Sequence, residues 1–328
     1  MVNGKIAHRF SGSNYRYNFY VGFNRESALA IDAKQYNLVY IRNNRGCFAL
    51  PSFLGHMQRE NPGAHLVVEI PTYPFGTEVV SWPVRIVSML DEMWAYRRFS
   101  RYLRLIVNVN DYNEIFGVEA LSIVNGVDLE NIAPAGYSAS RPDELSLLAV
   151  ANLTTAHGYD RVLQGLGQYV EAGGRTKVSF HIAGSGEESA RLAQMAQDLG
   201  IADSVVFHGH CAGKALDELY ETCDMAVASL GIHRLALEQA SPLKTREYCA
   251  KGMPFVLGYR DSGLPEDFPF AFKAPDDESP IDIAALVGFY ENLKTQRPDF
   301  RREIRSFAED NMTWEAQLKR VLDHLGIA

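Results

Sequence analysis

The stretch Glu238-Gln239-Ala240-Ser241-Pro242-Leu243-Lys244-Thr245-Arg246-Glu247-Tyr248-Cys249-Ala250-Lys251-Gly252-Met253-Pro254, followed by the apolar run Phe255-Val256-Leu257, decides how this chain is read. Ser241 and Pro242 are helix-start residues, 243–251 gives two to three turns, Gly252 is a C-terminal stop, and 255 onward reads as a buried strand. A loop therefore feeds a helix whose unpaired first-turn N–H groups point back at it. Those amides and the macrodipole attract an anion such as phosphate, and Lys244 adds a mobile positive charge. Glu247 follows about one turn on, roughly 4.5 Å along the axis, and the pair would suit a diphosphate beside a hydroxyl-bearing sugar. The same residues have a purely structural reading. Glu247 and Lys251 stand in the favourable i,i+4 order, and Lys244 reads equally as a solvated first-turn residue.

At 328 residues the chain is long for one domain, so two are expected. Its 47% hydrophobic and 22% charged residues suit ordinary globular cores, and a formal charge of −8 argues against bulk nucleic-acid binding. Cys47, Cys211, Cys223 and Cys249 have no C-x-x-C spacing and read as reduced thiols of a cytoplasmic protein. No run approaches the ~18 apolar residues of a membrane span, and Met1-Val2-Asn3-Gly4-Lys5 leads into polar, aromatic sequence instead of an apolar signal core.

From Tyr36 the sequence alternates between element types. Residues 38–42 read as a strand, 52–60 as a helix and 65–70 as a strand ended by Pro71-Thr72-Tyr73-Pro74. Residues 84–104 read as one or two helices, and 105–109 and 121–124 as strands, the last closed by Asn125-Gly126-Val127-Asp128. Residues 131–142, with Pro134, Gly136, Ser138, Ser140 and Pro142, form the best linker. The expected domains are 1–134 and 135–310, with 311–328 a C-terminal helix packing back on the first. Beyond the linker, strands fall at 146–151, 178–183, 205–207, 225–228 and from 255, and helices at 158–170, 187–199, 214–222, 243–251, 281–294 and 300–325. Alternation of this kind gives parallel sheets covered on both faces, and the second half reads as doubly wound.

Ligands of such sheets bind beyond the carboxyl ends of the strands, which makes Arg42 and Glu69 cleft candidates. An ion pair explains Arg42, and capture of turn amides explains Glu69, equally well. Asp276-Asp277-Glu278 reads as a solvated loop in preference to a metal site. In 94–104, arginines alternate with Trp94, Tyr96, Phe99 and Tyr102. That pattern fits a peripheral membrane contact, and fits equally a helix burying its aromatic side.

Several pieces of the second half form an ordered set: Ala149-Val150-Ala151-Asn152-Leu153 with His157-Gly158-Tyr159-Asp160-Arg161, Ile182-Ala183-Gly184-Ser185-Gly186, Val205-Val206-Phe207-His208-Gly209, Cys223-Asp224-Met225-Ala226-Val227, and Glu247-Tyr248-Cys249-Ala250-Lys251-Gly252. As a set they resemble the retaining, nucleotide-sugar-dependent transferases of glycosyltransferase family 4. Glu69-Ile70-Pro71-Thr72-Tyr73-Pro74 and Asn125-Gly126-Val127-Asp128 look like members that build bacterial capsules, exopolysaccharides or lipopolysaccharides. The resemblance implies an α/β GT-B fold, with two Rossmann-like doubly wound domains facing a cleft. It also implies transfer of a sugar from a nucleotide-sugar donor to a glycan or lipid-linked acceptor with retention of configuration.

Residue by residue, the resemblance puts Glu247 on the donor ribose and the amides of Pro242-Leu243-Lys244 on the diphosphate. Gln239, with Glu238 beside it, stands where the family has the first glutamate of its E-x7-E motif. Asn152 and His157 stand where the family commonly has an Arg and a Lys, and Arg161 supplies the missing charge, its rival reading being a surface ion pair with Asp160 or another acid. Gly158, Gly184, Ser185 and Gly186 complete the donor-binding set, and the catalytic roles fall to Glu238, Gln239, Arg161 and Lys244. No cofactor and no essential metal are implied. The implied partners are the nucleotide sugar and its acceptor, not nucleic acid, at the inner face of the cell membrane. One departure is large: residues 1–30 show no strand and Gly-rich loop of the kind that normally opens the first domain, which is therefore expected to be incomplete. That departure leaves room for a non-catalytic nucleotide- or partner-binding remnant, and a same-fold nucleotide-sugar epimerase is a further alternative.

Overall fold

Parallel strands covered on both faces need consecutive apolar residues, and the chain supplies them twice. The computed structural model describes residues 36–42, 50–71, 73, 90, 97, 98, 100–109, 111–136, 143–237 and 239–327. In it Val67, Val68, Leu105, Ile106 and Val107 form one fully buried set, and Leu147, Leu148, Ala149, Phe180 and Ile182 another. The chain divides into two units, Met1–Ile123 with Arg320–Ala328, and Val124–Lys319. Residues 131–136 are tied into the second unit, where the Arg305 guanidinium donates to the carbonyls of Leu129, Ile132 and Ala250.

The first unit contains β1 (Leu38–Arg42), α1 (Leu50–Glu60), β2 (His65–Ile70), β3 (Leu105–Asn108), β4 (Glu114–Ile115) and β5 (Val118–Ser122), in the sheet order β1-β2-β3-β5-β4. All pairings are parallel except the β4–β5 hairpin, whose Phe116-Gly117 turn has both φ angles positive, at 54° and 75°. The strand expected at 121–124 therefore begins earlier, at Val118, where exposed Glu119 breaks the apolar run that marks its neighbours. α1 buries Leu50, Phe53, Leu54 and Met57 in this core. Trp94, Tyr96 and Phe99 lie outside the described residues. Tyr102 packs on the core, and Arg101 stands 4.8 Å over its ring and donates to its hydroxyl at 2.8 Å.

The second unit runs β6 (Glu144–Val150), α2 (Tyr159–Glu171), β7 (Lys177–Ala183), α3 (Ser189–Asp198), β8 (Val205–Gly209), α4 (Lys214–Thr222), β9 (Met225–Val227), β10 (Gln239–Ala240), α5 (Leu243–Lys251), β11 (Phe255–Leu257), β12 (Arg260–Asp261), β13 (Ala271–Lys273), α6 (Ile283–Gln296) and α7 (Phe300–Asn311), then enters α8 (Trp314–Leu325). Its main sheet is parallel in the order β13-β11-β9-β6-β7-β8. Counted from β6, the strands run 3-2-1-4-5-6, so the winding reverses between β6 and β9, where a doubly wound sheet opens its ligand crevice. The loops leaving those two strands are joined: Leu230 N–H donates to His157 O at 2.8 Å and Gly231 N–H to Ala156 O at 3.2 Å. The single helix expected over 300–325 is in fact two. Thr313 caps the second through Ala316 N–H at 3.0 Å, while Val127 N–H takes the Met312 carbonyl at 2.7 Å. No helix among the described residues is long and apolar enough to cross a membrane.

α2 contains two glycines with different surroundings. A Cβ at Gly165 would stand 1.9 Å from the Ile281 carbonyl oxygen, whereas one at Gly167 would meet Leu199 at an ordinary 3.6 Å. Gly165→Ala should therefore destabilise the chain by about 1–3 kcal/mol through overpacking, and Gly167→Ala should stabilise it by up to about 1 kcal/mol through helix propensity. Urea unfolding of the two variants checks the sign of each.

Candidate functional site

Proline fits the position before a helix because the amide it lacks has no partner there anyway, and Pro242 holds φ at −73° ahead of α5. Among the described residues no side chain caps the first turn. Leu243 is 55% exposed, so this turn is open on one side. The Lys244 ammonium lies 3.5 Å from the Tyr159 hydroxyl and 5.9 Å from its ring centre, with no carboxylate at ion-pair distance among the described residues. Burial pulls its pKa down to about 8, against the opposing charge of Glu247.

Glu247, half-buried, makes no hydrogen bond or ion pair among the described residues. The i,i+4 partner its structural reading required is taken: Lys251 donates to Asp217 at 2.7 Å and lies 5.3 Å over the Tyr220 ring. Burial raises the Glu247 pKa, with Lys244 and Lys251 opposing. A half-buried carboxylate with no protein donor among the described residues is free to accept ligand hydroxyls.

His157 stands at the switch point beside this pair. Its Nδ1 accepts the Thr154 N–H at 3.1 Å and lies 3.0 Å from Thr154 Oγ1. That assigns the proton of the neutral ring to Nε2, which is thereby a donor. Burial, and then the charge of Lys244, push its pKa down to about 4. His157, Lys244 and Glu247 thus form one electrostatically coupled group. The ring of Tyr159, 5.4 Å from that of His157, forms its floor.

Arg161, expected on the diphosphate, has its guanidinium committed within the protein. It is 1% exposed, with Nε donating to Ser279 O at 2.7 Å, one terminal nitrogen to Leu230 O and the other to Pro275 O at 2.8 Å. Its guanidinium staples the loop after β9 to the acidic loop, and Asp277 at 3.6 Å balances the charge. The surface pair with Asp160 belongs instead to Arg234, at 3.0 Å. The acidic loop is accordingly not merely solvated: His233 and Arg234 hold Glu278, and His233 also meets Asp276 at 3.2 Å.

Gly184 and Gly186 are explained by close approach of main chains. Cβ atoms there would fall 1.8 Å from Ala151 O and 2.2 Å from Leu153 O, and Leu153 N–H reaches Ser185 O at 3.0 Å. Ser185 and Asn152 are exposed on the loops so formed, and Gly158 is packed on Leu230 and Gly231. Gln239 lies in β10, while Glu238 is outside the described residues. In the first unit, Arg42 and Glu69 are register partners on β1 and β2 and form an ion pair at 3.1 Å. Glu69 is 1% exposed and also accepts the Tyr40 hydroxyl at 2.9 Å.

Sequence reasoning missed the residues that hold the loop before α5. Arg246 and Asp261 are both fully buried and paired, with guanidinium N–H groups reaching the two carboxylate oxygens at 2.5 and 2.6 Å. Thr245 Oγ1 donates to the same carboxylate at 2.7 Å, as does Gly263 N–H at 2.9 Å, and Arg246 reaches Ser241 Oγ at 2.9 Å. The sequence signal was an arginine, Arg246, inside an otherwise open helix turn. Nearby, a cavity of about 550 Å³ lies among Leu257, Tyr259, Leu264, Phe268 and Lys273, and none of His157, Lys244 or Glu247 lines it.

Residues 137–268 match the model of the family "Glycosyl transferases group 1", a span containing His157, Lys244 and Glu247. No curated protein matches the chain. Among solved structures it is similar to a glycosyltransferase from Rickettsia africae at 11% identity, TM-score 0.65, over 97% of this chain and 83% of that one. It is also similar to Anabaena HepE in complex with UDP at 14% identity, TM-score 0.61, over 97% and 84% of the two chains. Sucrose-phosphate synthase from Thermosynechococcus elongatus follows at 15% identity, TM-score 0.54, over 94% and 79%. The fold is therefore an α/β arrangement of parallel sheets resembling the GT-B glycosyltransferases, and the family match supports a transferase.

The depressed pKa of His157 has a definite sign in stability. The unfolded chain binds a proton near pH 6.5, the folded ring only near 4, so stability is full above about 6.5 and falls as pH drops toward 4. Urea midpoints measured across that window should show the loss in wild type, and a smaller loss in His157→Gln.

Proposed function

We propose that the chain is a retaining glycosyltransferase that takes a nucleoside-diphosphate sugar as donor. The observation that carries this reading is half-buried Glu247, with no hydrogen-bond donor among the described residues, about one turn from an uncapped helix start at the sheet's switch point. In this reading the amides of Leu243, Lys244 and Thr245, the Lys244 ammonium and His157 Nε2–H receive the diphosphate. Glu247 accepts the ribose hydroxyls, and the contact with the donor sugar falls to Gln239 or to its neighbour in sequence, Glu238.

The chemistry follows from those placements. The bond from the anomeric carbon to the diphosphate oxygen breaks, charge builds on that oxygen, and the carbon gains oxocarbenium character. Fixed cations and amides aimed at the leaving oxygen lower that barrier, commonly the largest contribution an enzyme makes. The acceptor hydroxyl adds on the same face and passes its proton to the departing diphosphate, which gives retention. With Lys244 and the helix amides on the leaving group, no metal is required. We place the acceptor among glycans or lipid-linked glycans of cell-surface polysaccharide synthesis, at the cytoplasmic face of the membrane, where the arginines of 97–104 would meet anionic lipid. Turnover of donor with and without a glycan acceptor separates transfer from epimerisation and from binding alone.

Charge-assisted hydrogen bonds are worth about 1.5–3 kcal/mol each, so Glu247→Ala should weaken UDP binding roughly tenfold or more, and Glu247→Gln less. Calorimetric titration, with melting temperatures alongside, checks this; unchanged affinity in Glu247→Ala would remove the reading. Lys244 must be charged to hold diphosphate and ionises near 8 in the free protein, so kcat/KM for the donor should fall as pH rises through about 8. In Lys244→Arg, which stays charged, that fall should vanish.

A further inference from the structure

We infer that Asn125, from the Asn-Gly-Val-Asp turn, is a positioning residue for the donor diphosphate, acting through the main chain of Ser241. The inference rests on the donor site proposed above. The first-turn amides of α5 point where the loop 239–242 directs them, so whatever fixes that loop fixes the geometry of the anion site. Three grips hold it. Asn125 Nδ2 donates to Ser241 O at 2.7 Å, Arg246 donates to Ser241 Oγ at 2.9 Å, and β10 pairs with β12, with Ser262 N–H reaching Ala240 O at 3.2 Å.

Asn125 is itself held on a rigid support. Val124 N–H donates to Gln317 Oε1 at 3.0 Å, and Gln317, 1% exposed, donates in turn to Asn311 O at 2.6 Å. Val127 N–H takes Met312 O at 2.7 Å, and a Cβ on Gly126 would fall 2.5 Å from the Trp314 ring. The turn is thus fixed to the corner between α7 and α8, and one side chain reaches from it to the loop. Asn125 is only partly buried and carries no charge, so its loss strands no ion. What it loses is the direction of the Ser241 peptide, one residue before Pro242. A preorganised site held on packed elements binds without first ordering its loop, and a hydrogen bond of this kind is worth a severalfold change in affinity.

The test compares UDP with uridine, which lacks the diphosphate, on wild type, Asn125→Ala and Asn125→Ser, below all melting temperatures. We expect UDP affinity to fall about 3- to 10-fold in both variants while uridine affinity stays within twofold, and KM for the donor to rise more than kcat falls. An equal loss for UDP and uridine would show general softening of the unit and overturn the inference, as would UDP affinity within twofold of wild type in both variants. Wild type that binds none of UDP, GDP or ADP would instead strike the donor site itself, and this inference with it.

Discussion

A guanidinium and a carboxylate buried together without water are stable only if their geometry is good and their remaining hydrogen-bonding groups are occupied. Arg246 and Asp261 come close to that condition, with Thr245, Ser241 and Gly263 filling most of the remaining positions. Everything proposed for the donor site depends on this pair, because it joins the first turn of α5 to β12 and thereby sets the direction of the open amides. Removing one partner would leave an uncompensated buried charge, a cost of about 3–5 kcal/mol. That penalty makes the arrangement all-or-none, which suits a loop that must present amides at one angle.

Around that fixed frame the functional groups are left incomplete. Among the described residues Lys244 has a tyrosine hydroxyl for company and no carboxylate, Glu247 has no donor, and His157 is kept neutral with its proton on Nε2. The contrast with Arg161 is instructive. That arginine has its guanidinium committed to main-chain carbonyls and a balancing aspartate, and so holds loops together. Electrostatic pairing within the protein separates the structural cations from those open to a ligand.

Much of the architecture was legible because it is written in local signals. Pro242 and Gly252 punctuate α5, and the expected 243–251 coincides with the helix observed. Long apolar runs announced the buried parallel strands of the second unit. The two- and three-residue strands β10, β12 and β13 are too short to show a period, and they went unread. The inward turn of Arg246 was hidden for a different reason. Lys244, Arg246, Glu247 and Lys251 are all charged residues of one short helix, and only the distant Asp261 decides which of them is buried. The main-chain partners of Arg161 were hidden in the same way, since they lie more than sixty residues further along the chain.

The central claim is that the open start of α5, with Lys244, His157 and Glu247, is a nucleoside-diphosphate site. The most direct measurement is a crystal structure of the chain with UDP. It should show the diphosphate on the amides of residues 243–245 within reach of the Lys244 ammonium, and both ribose hydroxyls hydrogen-bonded to Glu247. UDP seated instead in the cavity of about 550 Å³ beside Tyr259 and Phe268, with the Glu247 carboxylate untouched, would contradict the account.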